Sequence, residues 1–328
     1  MSDPALSSPF RVVILMPVYE DWECAFILCR ALGEELRGLP QVAARVLLVD
    51  DGSPTGIAHW PRAQGPLTIQ VEALRLRANL GHQRAICVGI CYIYEHFPCD
   101  AVVVMDADGE DRAEDAVGLI KRALSKPSFA IFAERRRRSV GLLFKVGYNA
   151  FRVVHRLLTG IPVRVGNFSL IPRTLLPTLT CMPELWNHYA GAVVKSKARC
   201  DLVPMDRGPR LKGPSKMNLT ALVMHGVSGI ATFAETVATR ILITNVIGLV
   251  FLGIVVAFVI WLRFCTNLAI PGWAAYSVGL ILVLALQLLG VSFSLVFSLI
   301  SNRTRMQVTP IRDYAIFVDH LQNLAGPQ

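Results

Sequence analysis

The chain has 328 residues, of which 53% are hydrophobic, and its mean hydropathy is +0.47. This composition is too apolar for a single soluble domain, and the excess of apolar residues follows residue 240. The net charge of +9 does not indicate a nucleic-acid partner, because the basic residues cluster near the apolar end and no aromatic and basic nucleic-acid motif occurs, so anionic lipid explains them more simply.

Strands and helices alternate through the first half of the chain. We predict strands at Arg11–Met16, Arg45–Val49, Leu67–Leu74, Ala101–Met105 and Phe129–Ala133, and helices at Trp22–Leu36, from His82 to about Glu95, at Ala113–Leu124 and at Leu142–Leu158. This alternation is typical of βαβ units, so the sequence predicts an α/β fold with a mostly parallel sheet. The residues before the first strand contain neither a cationic region nor a long apolar stretch. We therefore predict no cleavable signal. The eight cysteines include no CxxC pair, which favours reduced thiols over a metal site.

Two of the predicted strands end in acidic residues. Asp50 and Asp51 follow Arg45–Val49, and Asp106 and Asp108 follow Ala101–Met105. The carboxyl ends of parallel strands share one edge of a sheet, where ligands of open α/β folds bind. Asp106 and Asp108 can together hold Mg²⁺ or Mn²⁺, which fills its other positions with water and substrate phosphates. The alternative is that Asp108 or Asp111 only caps the next helix.

Two long apolar runs occupy the last third of the chain. Ile241–Trp261 is 21 residues without a charge, and at about 1.5 Å per residue it would span roughly 30 Å, the thickness of a bilayer core. Ala274–Ile300 is a second run, so the two are predicted to form a transmembrane hairpin. Cations flank the hairpin at Arg240, Arg303, Arg305 and Arg312, whereas the linker holds one. By the positive-inside tendency, both ends of the hairpin and the N-terminal domain are expected in the cytoplasm.

Eight segments occur in an order that resembles the family 2 glycosyltransferases. They are VILMPVYE, LLVDDGS, NLGHQRA, VMDADGED, the arginine run Arg135–Arg138 with the helix after it, GNFSLIPR, RLKGPSK and the terminal hairpin. The branch that they resemble most is the polyprenyl-phosphate glycosyltransferases, which are similar to dolichol-phosphate mannose synthase and its bacterial undecaprenyl-phosphate relatives. The resemblance covers the chain from Arg11 to about Arg305. It implies a GT-A type, Rossmann-like domain that moves a sugar from a UDP- or GDP-linked donor to a polyprenyl phosphate, with inversion.

The resemblance also implies roles for residues at the predicted strand ends. The nucleotide-sugar pocket would comprise Pro17, Tyr19, Glu20, Asp50, Asp51 and Asp106. Asp106 and Asp108 would be catalytic as ligands of the metal, and Glu110 stands where many relatives have a glutamine ligand. The expected cofactor is therefore Mg²⁺ or Mn²⁺.

The acceptor phosphate is expected to meet basic side chains. The resemblance implies that Arg135, Arg136, Arg137 and Arg138 grip the lipid phosphate, with Arg135 and Arg138 catalytic, and that Arg210, Ser215 and Lys216 form an anion clamp. Bidentate guanidinium contacts suit such a dianion. A solvated basic patch or a membrane-surface anchor is the alternative, and Lys145, Arg152 and Arg156 continue the positive face on the next helix.

Two further segments match the family. Gly81, His82 and Gln83 form a turn that starts a helix, and this turn either binds an anion or is only structural. Asn218–Thr236 repeats apolar residues at helical spacing and resembles the interfacial helix of the family. The predicted organisation is a cytoplasmic domain at 1–216, an interfacial helix at 217–238, two transmembrane helices within 239–302 and a cytoplasmic tail at 303–328.

Two positions depart from the family pattern. Relatives commonly have Asp where this chain has Asn167 and Arg where it has Ser169. Asn cannot act as a general base, but a phosphate monoester with a second pKa of about 6 is largely ionised at pH 7 and is already nucleophilic. The departures keep two alternatives open: a catalytically silent, membrane-anchored nucleotide-sugar-binding subunit, and a glycosyltransferase with a non-polyprenyl acceptor. A processive polysaccharide synthase is disfavoured, because the chain lacks a QxxRW motif and has too few membrane helices.

The partners that follow are a nucleotide-sugar, a polyprenyl phosphate and the lipid bilayer. The expected location is a bacterial inner membrane, with the catalytic domain and both termini in the cytoplasm. Relatives include homo-oligomers, but no feature of the sequence determines an oligomeric state.

Overall fold

A computed structural model describes residues 8–61, 67–135, 142–161, 165–206, 208–212, 226–266, 272–304 and 308–325. The chain divides into two compact units. The first comprises Met1–Gly141, Arg164–Thr232 and Gln307–Gln328, and the second comprises Leu142–Val163 and Phe233–Met306.

The first unit is built around an eight-stranded sheet. Its strands are β1 (Phe10–Val18), β2 (Val42–Asp50), β3 (Gln70–Leu76), β4 (Ala101–Val104), β5 (Ala130–Arg135), β6 (Val165–Pro172), β7 (Cys200–Met205) and β8 (Val318–Ala325), in the order β7-β5-β6-β4-β1-β2-β3-β8. The strand pairs β1–β2, β1–β4, β2–β3 and β5–β7 are parallel, whereas β6 and β8 run antiparallel to their neighbours. The expected α/β fold with a mostly parallel sheet is confirmed, but β6, β7 and β8 were not predicted.

Helices cover both faces of this sheet. They are α1 (Trp22–Leu36), α2 (His82–His96), α3 (Ala113–Ser125), α5 (Leu176–Cys181), α6 (Glu184–Asn187), α7 (Tyr189–Lys195), a short helix α8 at 226–231, and α11 (Pro310–Asp313), while α4 belongs to the second unit. Alternate residues of β1 enter opposite cores: Ile14 packs in one apolar cluster and Leu15 in the other. Burial on both faces explains why the parallel strands are continuous apolar runs.

Helix α2 lies very close to the sheet, and Gly89 permits this. A Cβ at position 89 would stand 2.4 Å from Leu15 Cδ1 and 2.8 Å from Val49 Cγ2. The packing of α2 fixes the position of its first residues, which border the carboxyl edge of the sheet.

The C-terminal segment is part of the sheet, although the sequence predicted only a tail. β8 pairs antiparallel with β3, and Tyr314, just before it, is 3% exposed. The Tyr314 hydroxyl bonds the Glu95 carboxylate and lies 3.2 Å from His96 Nε2. β8 was missed because its sequence, VDHLQNLA, is polar on an exposed edge and has no apolar alternation.

The second unit contains α4 (Leu142–Thr159) and the helices α9 (Ala234–Cys265) and α10 (Trp273–Thr304). Ala234–Cys265 and Trp273–Ser301 are long and apolar enough to cross a membrane, with mean hydropathies of 2.7 and 2.5. Asn245 Nδ2 donates to Ser292 Oγ at 3.0 Å, a hydrogen bond that joins α9 to α10.

The region before α9 is only partly described. Residues 218–225 of the expected interfacial helix lie outside the described residues. In the remainder, α8 ends at residue 231 and α9 begins at Ala234. The predicted domain boundaries at 216, 238 and 302 therefore stay predictions.

Candidate active site

Strands β1, β2 and β4 bring their acidic ends to one edge of the sheet. β1 and β2 are in register up to the pair Val18 and Asp50, and β4 lies on the other side of β1. Asp106 and Asp108 follow the end of β4. The edge predicted from the sequence is therefore formed by the fold.

Asp50 is fully buried at this edge. Its Oδ1 accepts the Ser53 amide at 2.9 Å, whereas its Oδ2 is buried and has no hydrogen-bond partner among the described residues. Glu20, with φ of 58°, donates its amide to Ser53 Oγ, and its carboxylate accepts from Thr55 at 2.8 Å. A buried acceptor without a partner is costly unless a ligand fills it, so Asp50 fits a group that receives an N–H or O–H from a nucleotide.

The other predicted pocket residues on β1 differ in exposure. Pro17 is buried within the strand, and Tyr19 is 40% exposed just after it. A pocket contact at this edge would therefore come from Tyr19 rather than from the Pro17 ring.

Asp51 binds the turn that precedes α2. Its carboxylate accepts the Leu80 amide at 2.7 Å and the Gly81 amide at 3.0 Å. Burial raises the pKa of Asp51, and these two bonds oppose the rise. Because the carboxylate already occupies the turn amides, the structure favours the structural interpretation of Gly81 over an anion site, and it gives Asp51 a role in holding the pocket wall.

We expect Asp51→Ala to destabilise this turn by about 2 kcal/mol, since two partly buried amides lose their acceptor. Asp51→Asn retains one acceptor oxygen and should lose about half as much. Hydrogen exchange at the Leu80 and Gly81 amides measures the loss. Wild-type protection in both variants would contradict this role.

The loop after β4 holds the Asp106–Asp108 pair in a defined shape. The Asp106 amide donates to Asp111 Oδ2 at 3.0 Å, and the Glu110 amide donates to Asp108 Oδ1 at 3.0 Å. Gly109, with φ of 85°, permits the turn between them. The N-cap residue of α3 is Arg112 and makes no side-chain capping bond. The N-cap position is therefore not occupied by Asp108 or Asp111, and both carboxylates accept from amides of the loop.

Each carboxylate of the pair also meets a cationic or ionisable side chain. Asp106 Oδ1 lies 3.2 Å from His82 Nε2, and Asp108 Oδ2 accepts from Arg210 Nη1 at 3.3 Å. Burial alone would lower the pKa of His82, but Asp106 and the other nearby carboxylates outweigh it and raise that pKa. The carboxylates at this edge of the sheet therefore favour positively charged groups close to them.

The pair fits a metal that is held jointly with substrate. In the described part of the chain, no three His, Cys, Asp or Glu side chains converge as a metal-binding group, so Asp106, Asp108 and Glu110 do not form the expected three-residue set. Glu110 lies beyond the Gly109 turn, and its carbonyl accepts the Gly208 amide. Mg²⁺ is commonly bound by one or two carboxylates together with substrate phosphates, which two aspartates satisfy.

Arg210 stands beside the aspartate pair, while the other two residues of the predicted anion clamp lie outside the described part of the chain. Besides Asp108, its guanidinium donates to Asp21 Oδ2 at 3.1 Å, and Lys212 Nζ lies 2.5 Å from Glu23 Oε2. The ion pairs of Arg210 are thus with Asp21 and Asp108, and its Nε also donates to the Lys212 carbonyl at 3.1 Å. Asp21 and Glu23 were missed, because acids at the start of α1 look like ordinary helix-terminus residues.

A directional hydrogen-bond chain reaches the site from Tyr189. The Tyr189 amide donates to Gln83 Oε1 at 2.8 Å, Gln83 Nε2 donates to Asn167 Oδ1 at 3.2 Å, and Asn167 Nδ2 lies 3.0 Å from His82 Nε2. The Tyr189 backbone amide can only donate, so Gln83 must turn its oxygen towards it and its NH₂ group towards Asn167. Asn167 must then turn its oxygen towards Gln83 and its NH₂ group towards His82. One ring nitrogen cannot accept from Asn167 and donate to Asp106 at once, so only one of these two contacts of His82 can be a hydrogen bond in a given protonation state.

Ser169 belongs to the same network. Its hydroxyl lies 2.7 Å from the buried Tyr189 hydroxyl and donates to the Asn167 carbonyl at 2.9 Å. Both departures from the family pattern, Asn167 and Ser169, are therefore bonded into one polar cluster beside the aspartate pair.

We expect Asn167→Leu to lower turnover on the order of 10-fold, because Gln83 and His82 both lose the amide that orients them. Asn167→Asp should retain more activity, since a carboxylate accepts from both neighbours. Turnover at saturating donor measures this effect, and Gln83→Leu should not add to it. Unchanged turnover in Asn167→Leu would contradict the positioning role.

The remaining predicted acceptor residues are described only in part. Arg135 ends β5, where it is paired with Met205, and its side chain lies outside the description. Arg136, Arg137, Arg138, Ser215 and Lys216 lie outside the described residues, so their roles stay predictions.

The sequence relatives of this chain that have names are glycosyltransferases. No family model matches the chain. The prophage bactoprenol glucosyl transferase homolog of Escherichia coli (strain K12) is 22% identical over 289 residues, covering 86% of this chain and 91% of that protein. An uncharacterized glycosyltransferase of Bacillus subtilis (strain 168) is 25% identical, with 83% and 84% covered, and the bactoprenol glucosyl transferase of Shigella phage SfV is 23% identical, with 70% and 75% covered.

A solved structure was also compared. Mannosyl-3-phosphoglycerate synthase from Rubrobacter xylanophilus is 16% identical and has a TM-score of 0.48, covering 69% of this chain and 73% of that one. The matches to the first two sequence relatives cover 86% and 83% of this chain. Over most of its length this chain is therefore similar to bactoprenol glucosyl transferases and to other glycosyltransferases, in agreement with the resemblance of its motifs.

Proposed function

We propose that the protein transfers a sugar from a UDP- or GDP-linked donor to a polyprenyl phosphate at the cytoplasmic face of a bacterial inner membrane. The observation that carries the proposal is the sheet edge, where Asp106 and Asp108 lie beside the buried, partly unsatisfied Asp50. The names of the relatives support the acceptor, since several are bactoprenol glucosyl transferases. The match to the Escherichia coli relative covers 86% of this chain and 91% of that protein, which supports the same reaction class.

The donor would lie across the carboxyl ends of β1, β2 and β4. Asp50 Oδ2 offers a buried acceptor for a base or ribose donor, and Glu20 and Ser53 shape the loop next to it. The diphosphate would extend towards Asp106 and Asp108. A Mg²⁺ or Mn²⁺ ion bound by these two carboxylates would stabilise negative charge on the departing nucleoside diphosphate.

The protein would contribute charge and orientation rather than a general base. Arg210 and His82 lie against the two aspartates, so they balance the carboxylate charge at the diphosphate end. The acceptor phosphate is ionised near pH 7 and can attack the anomeric carbon directly, with one displacement and inversion. Asn167, although it is not a base, keeps His82 in position for this step.

The acceptor phosphate would be gripped by the arginine run Arg135–Arg138, with Ser215 and Lys216 close to the membrane. Guanidinium groups match a phosphate dianion through paired hydrogen bonds. This assignment is supported by the order of motifs in the sequence. Arg210 is left out of the grip, since its guanidinium already bonds Asp21 and Asp108.

The C-terminal strand supports the expected membrane topology. β8 pairs with β3 of the N-terminal domain, so the two ends of the chain share one compartment. The chain between them would therefore cross the bilayer an even number of times, as a hairpin of α9 and α10 does. The flanking arginines favour the cytoplasm for this compartment.

The test is sugar transfer by the full-length protein in detergent micelles. Undecaprenyl phosphate is supplied with Mn²⁺ or Mg²⁺ and a panel of labelled UDP- and GDP-sugars. A labelled lipid product that disappears with EDTA and returns with added metal is the expected result. It also identifies the sugar and the base of the donor.

The second candidate is a membrane-anchored subunit that binds nucleotide-sugar without transferring it. The observation that favours it is that Asn167 and Ser169 replace the usual Asp and Arg and are bonded to protein groups. Measurable donor binding without lipid product from any donor would support this candidate. The proposed function would then be wrong for a polyprenyl acceptor.

A further inference from the structure

Arg75 stands next to the buried Asp50 at the carboxyl edge of the sheet. β2 and β3 are parallel, and their register pairs Asp50 with Arg75. Leu48 and Ala73, two residues earlier on the same strands, lie in one apolar cluster. Because side chains alternate between the two faces of a sheet, Asp50 and Arg75 project on the face that this cluster covers, from strands about 4.8 Å apart.

These neighbours of opposite charge do not bind each other. Within the described ranges, no ion pair joins Asp50 to Arg75, and no carboxylate or carbonyl accepts from the partly buried Arg75 guanidinium. Asp50 Oδ2 is buried and has no hydrogen-bond partner there either. An acceptor and a donor that stand side by side without pairing leave both groups for a ligand.

The loop after β2 keeps the carboxylate and the guanidinium apart. The Ser53 amide donates to Asp50 Oδ1 at 2.9 Å, which turns the carboxylate towards the start of the loop. Arg75 lies against the same loop three residues later, where a Cβ at Gly56 would stand 2.8 Å from Arg75 Nη1. Gly56 has φ of 57° and leaves room for the guanidinium against the backbone. One short loop thus fixes the separation of the two charged groups.

An acceptor beside a donor matches one kind of nucleotide base. Uracil and guanine present a ring N–H next to a carbonyl oxygen, so the N–H can donate to Asp50 Oδ2 while the carbonyl accepts from Arg75. Cytosine and adenine present the opposite pattern, a ring nitrogen that accepts and an amino group that donates. With such a base, acceptor would meet acceptor and donor would meet donor.

We propose that Arg75 selects the base of the donor, by donating to the carbonyl oxygen of uracil or guanine while Asp50 accepts from the neighbouring ring N–H. The inference deepens the proposed function and rests on it, since the nucleotide must lie at this edge. Arg75 carries no signal in the sequence, because it stands between Leu74 and Leu76 in an apolar strand, outside the eight ordered segments. A base with the wrong pattern leaves both protein groups unpaired, which is a strong source of discrimination.

The test is nucleotide binding by the full-length protein in detergent micelles, measured by isothermal titration calorimetry with Mn²⁺ and with UDP, GDP, CDP or ADP. The wild type should bind UDP more tightly than CDP, or GDP more tightly than ADP, by about tenfold or more. Arg75→Leu should weaken binding of the preferred nucleotide about tenfold and leave its amino counterpart nearly unchanged. The comparison of UDP with GDP identifies which base supplies the carbonyl.

Two further variants separate base selection from charge and from folding. Arg77→Leu is the matched control, because the Arg77 side chain is 61% exposed and faces Asp319 at 4.0 Å, so it should keep the wild-type discrimination. Arg75→Lys keeps the charge in a less disruptive side chain but loses the planar fork, and its discrimination should be intermediate.

Equal weakening of all four nucleotides in Arg75→Leu would overturn the proposal, since Arg75 would then only support the loop. Equal wild-type binding of UDP and CDP together with equal binding of GDP and ADP would overturn it too. Base-selective binding without lipid product would contradict the proposed function alone, whereas lipid product with unselective binding would contradict this inference alone. The absence of binding to any nucleotide would contradict both.

Discussion

Replacing Asp108 with alanine should lower sugar transfer about 10³-fold with Mn²⁺ present. A metal ion that stabilises the leaving diphosphate contributes several kcal/mol to the transition state, and each 1.36 kcal/mol is about tenfold in rate. Asp108 lies in a loop, where its carboxylate accepts the Glu110 amide and the Arg210 guanidinium. The loss should therefore affect catalysis more than folding.

The measurement is turnover of labelled donor, together with the affinity of the protein for Mn²⁺ followed by electron paramagnetic resonance. Asp108→Asn keeps the shape and removes the charge, so it should lose most of the Mn²⁺ affinity too. Glu35→Ala is the matched control, because Glu35 is an exposed acid on α1. Turnover near the wild-type value in Asp108→Ala would show that the metal site has been assigned to the wrong residues.

Replacing Tyr314 with alanine should detach the C-terminal strand. Tyr314 is 3% exposed and packs edge-on against Tyr92, so its removal leaves a cavity that costs about 3–5 kcal/mol. Tyr314→Phe removes only the hydroxyl that bonds Glu95 and His96, which are exposed, and should cost about 1 kcal/mol. The comparison separates packing from hydrogen bonding.

Hydrogen exchange by mass spectrometry follows the detachment. β8 pairs with Val71–Leu76 of β3 and protects those amides of β3 that face it. In Tyr314→Ala, β8 and the β3 amides that face it should exchange faster, while β1 and β2 keep their protection. Equal exchange in Tyr314→Ala and the wild type would mean that the strand is held by its backbone pairing alone. Uniformly faster exchange throughout the sheet would instead mean that the whole first unit is destabilised.

The acidic edge of the sheet was predictable from sequence, but its electrostatics were not. Apolar runs that stop at Asp50 and Asp106 identify strand ends, because a strand buried on both faces cannot continue into charges. That Arg210 would bond Asp108 and Asp21 depends on a segment about 100 residues away returning to this edge. A basic motif near a membrane is equally compatible with a phosphate clamp, so the role of Arg210 towards the acceptor phosphate stays a prediction.

The polar network around Asn167 shows the same limit. The sequence identified Asn167 and Ser169 as departures from a family pattern, and from that alone they left open a catalytically silent subunit or a non-polyprenyl acceptor. The structure bonds both into a chain that runs from the Tyr189 amide through Gln83 to His82. The sequence placed Gln83 in a helix-starting turn, but its hydrogen bonds depend on partners that lie 84 and 106 residues away.

The sequence by itself determined the α/β class, the acidic strand ends, the two membrane-length helices and the resemblance to glycosyltransferases, because each is written in local periodicity or in short ordered motifs. The tertiary structure alone decided that the tail becomes β8, that Arg210 bonds the aspartate pair and that Arg75 stands beside Asp50. The reason is physical: strand pairing, ion pairs and burial are set by neighbours that are distant in the chain. A polar edge strand has little local signal of its own.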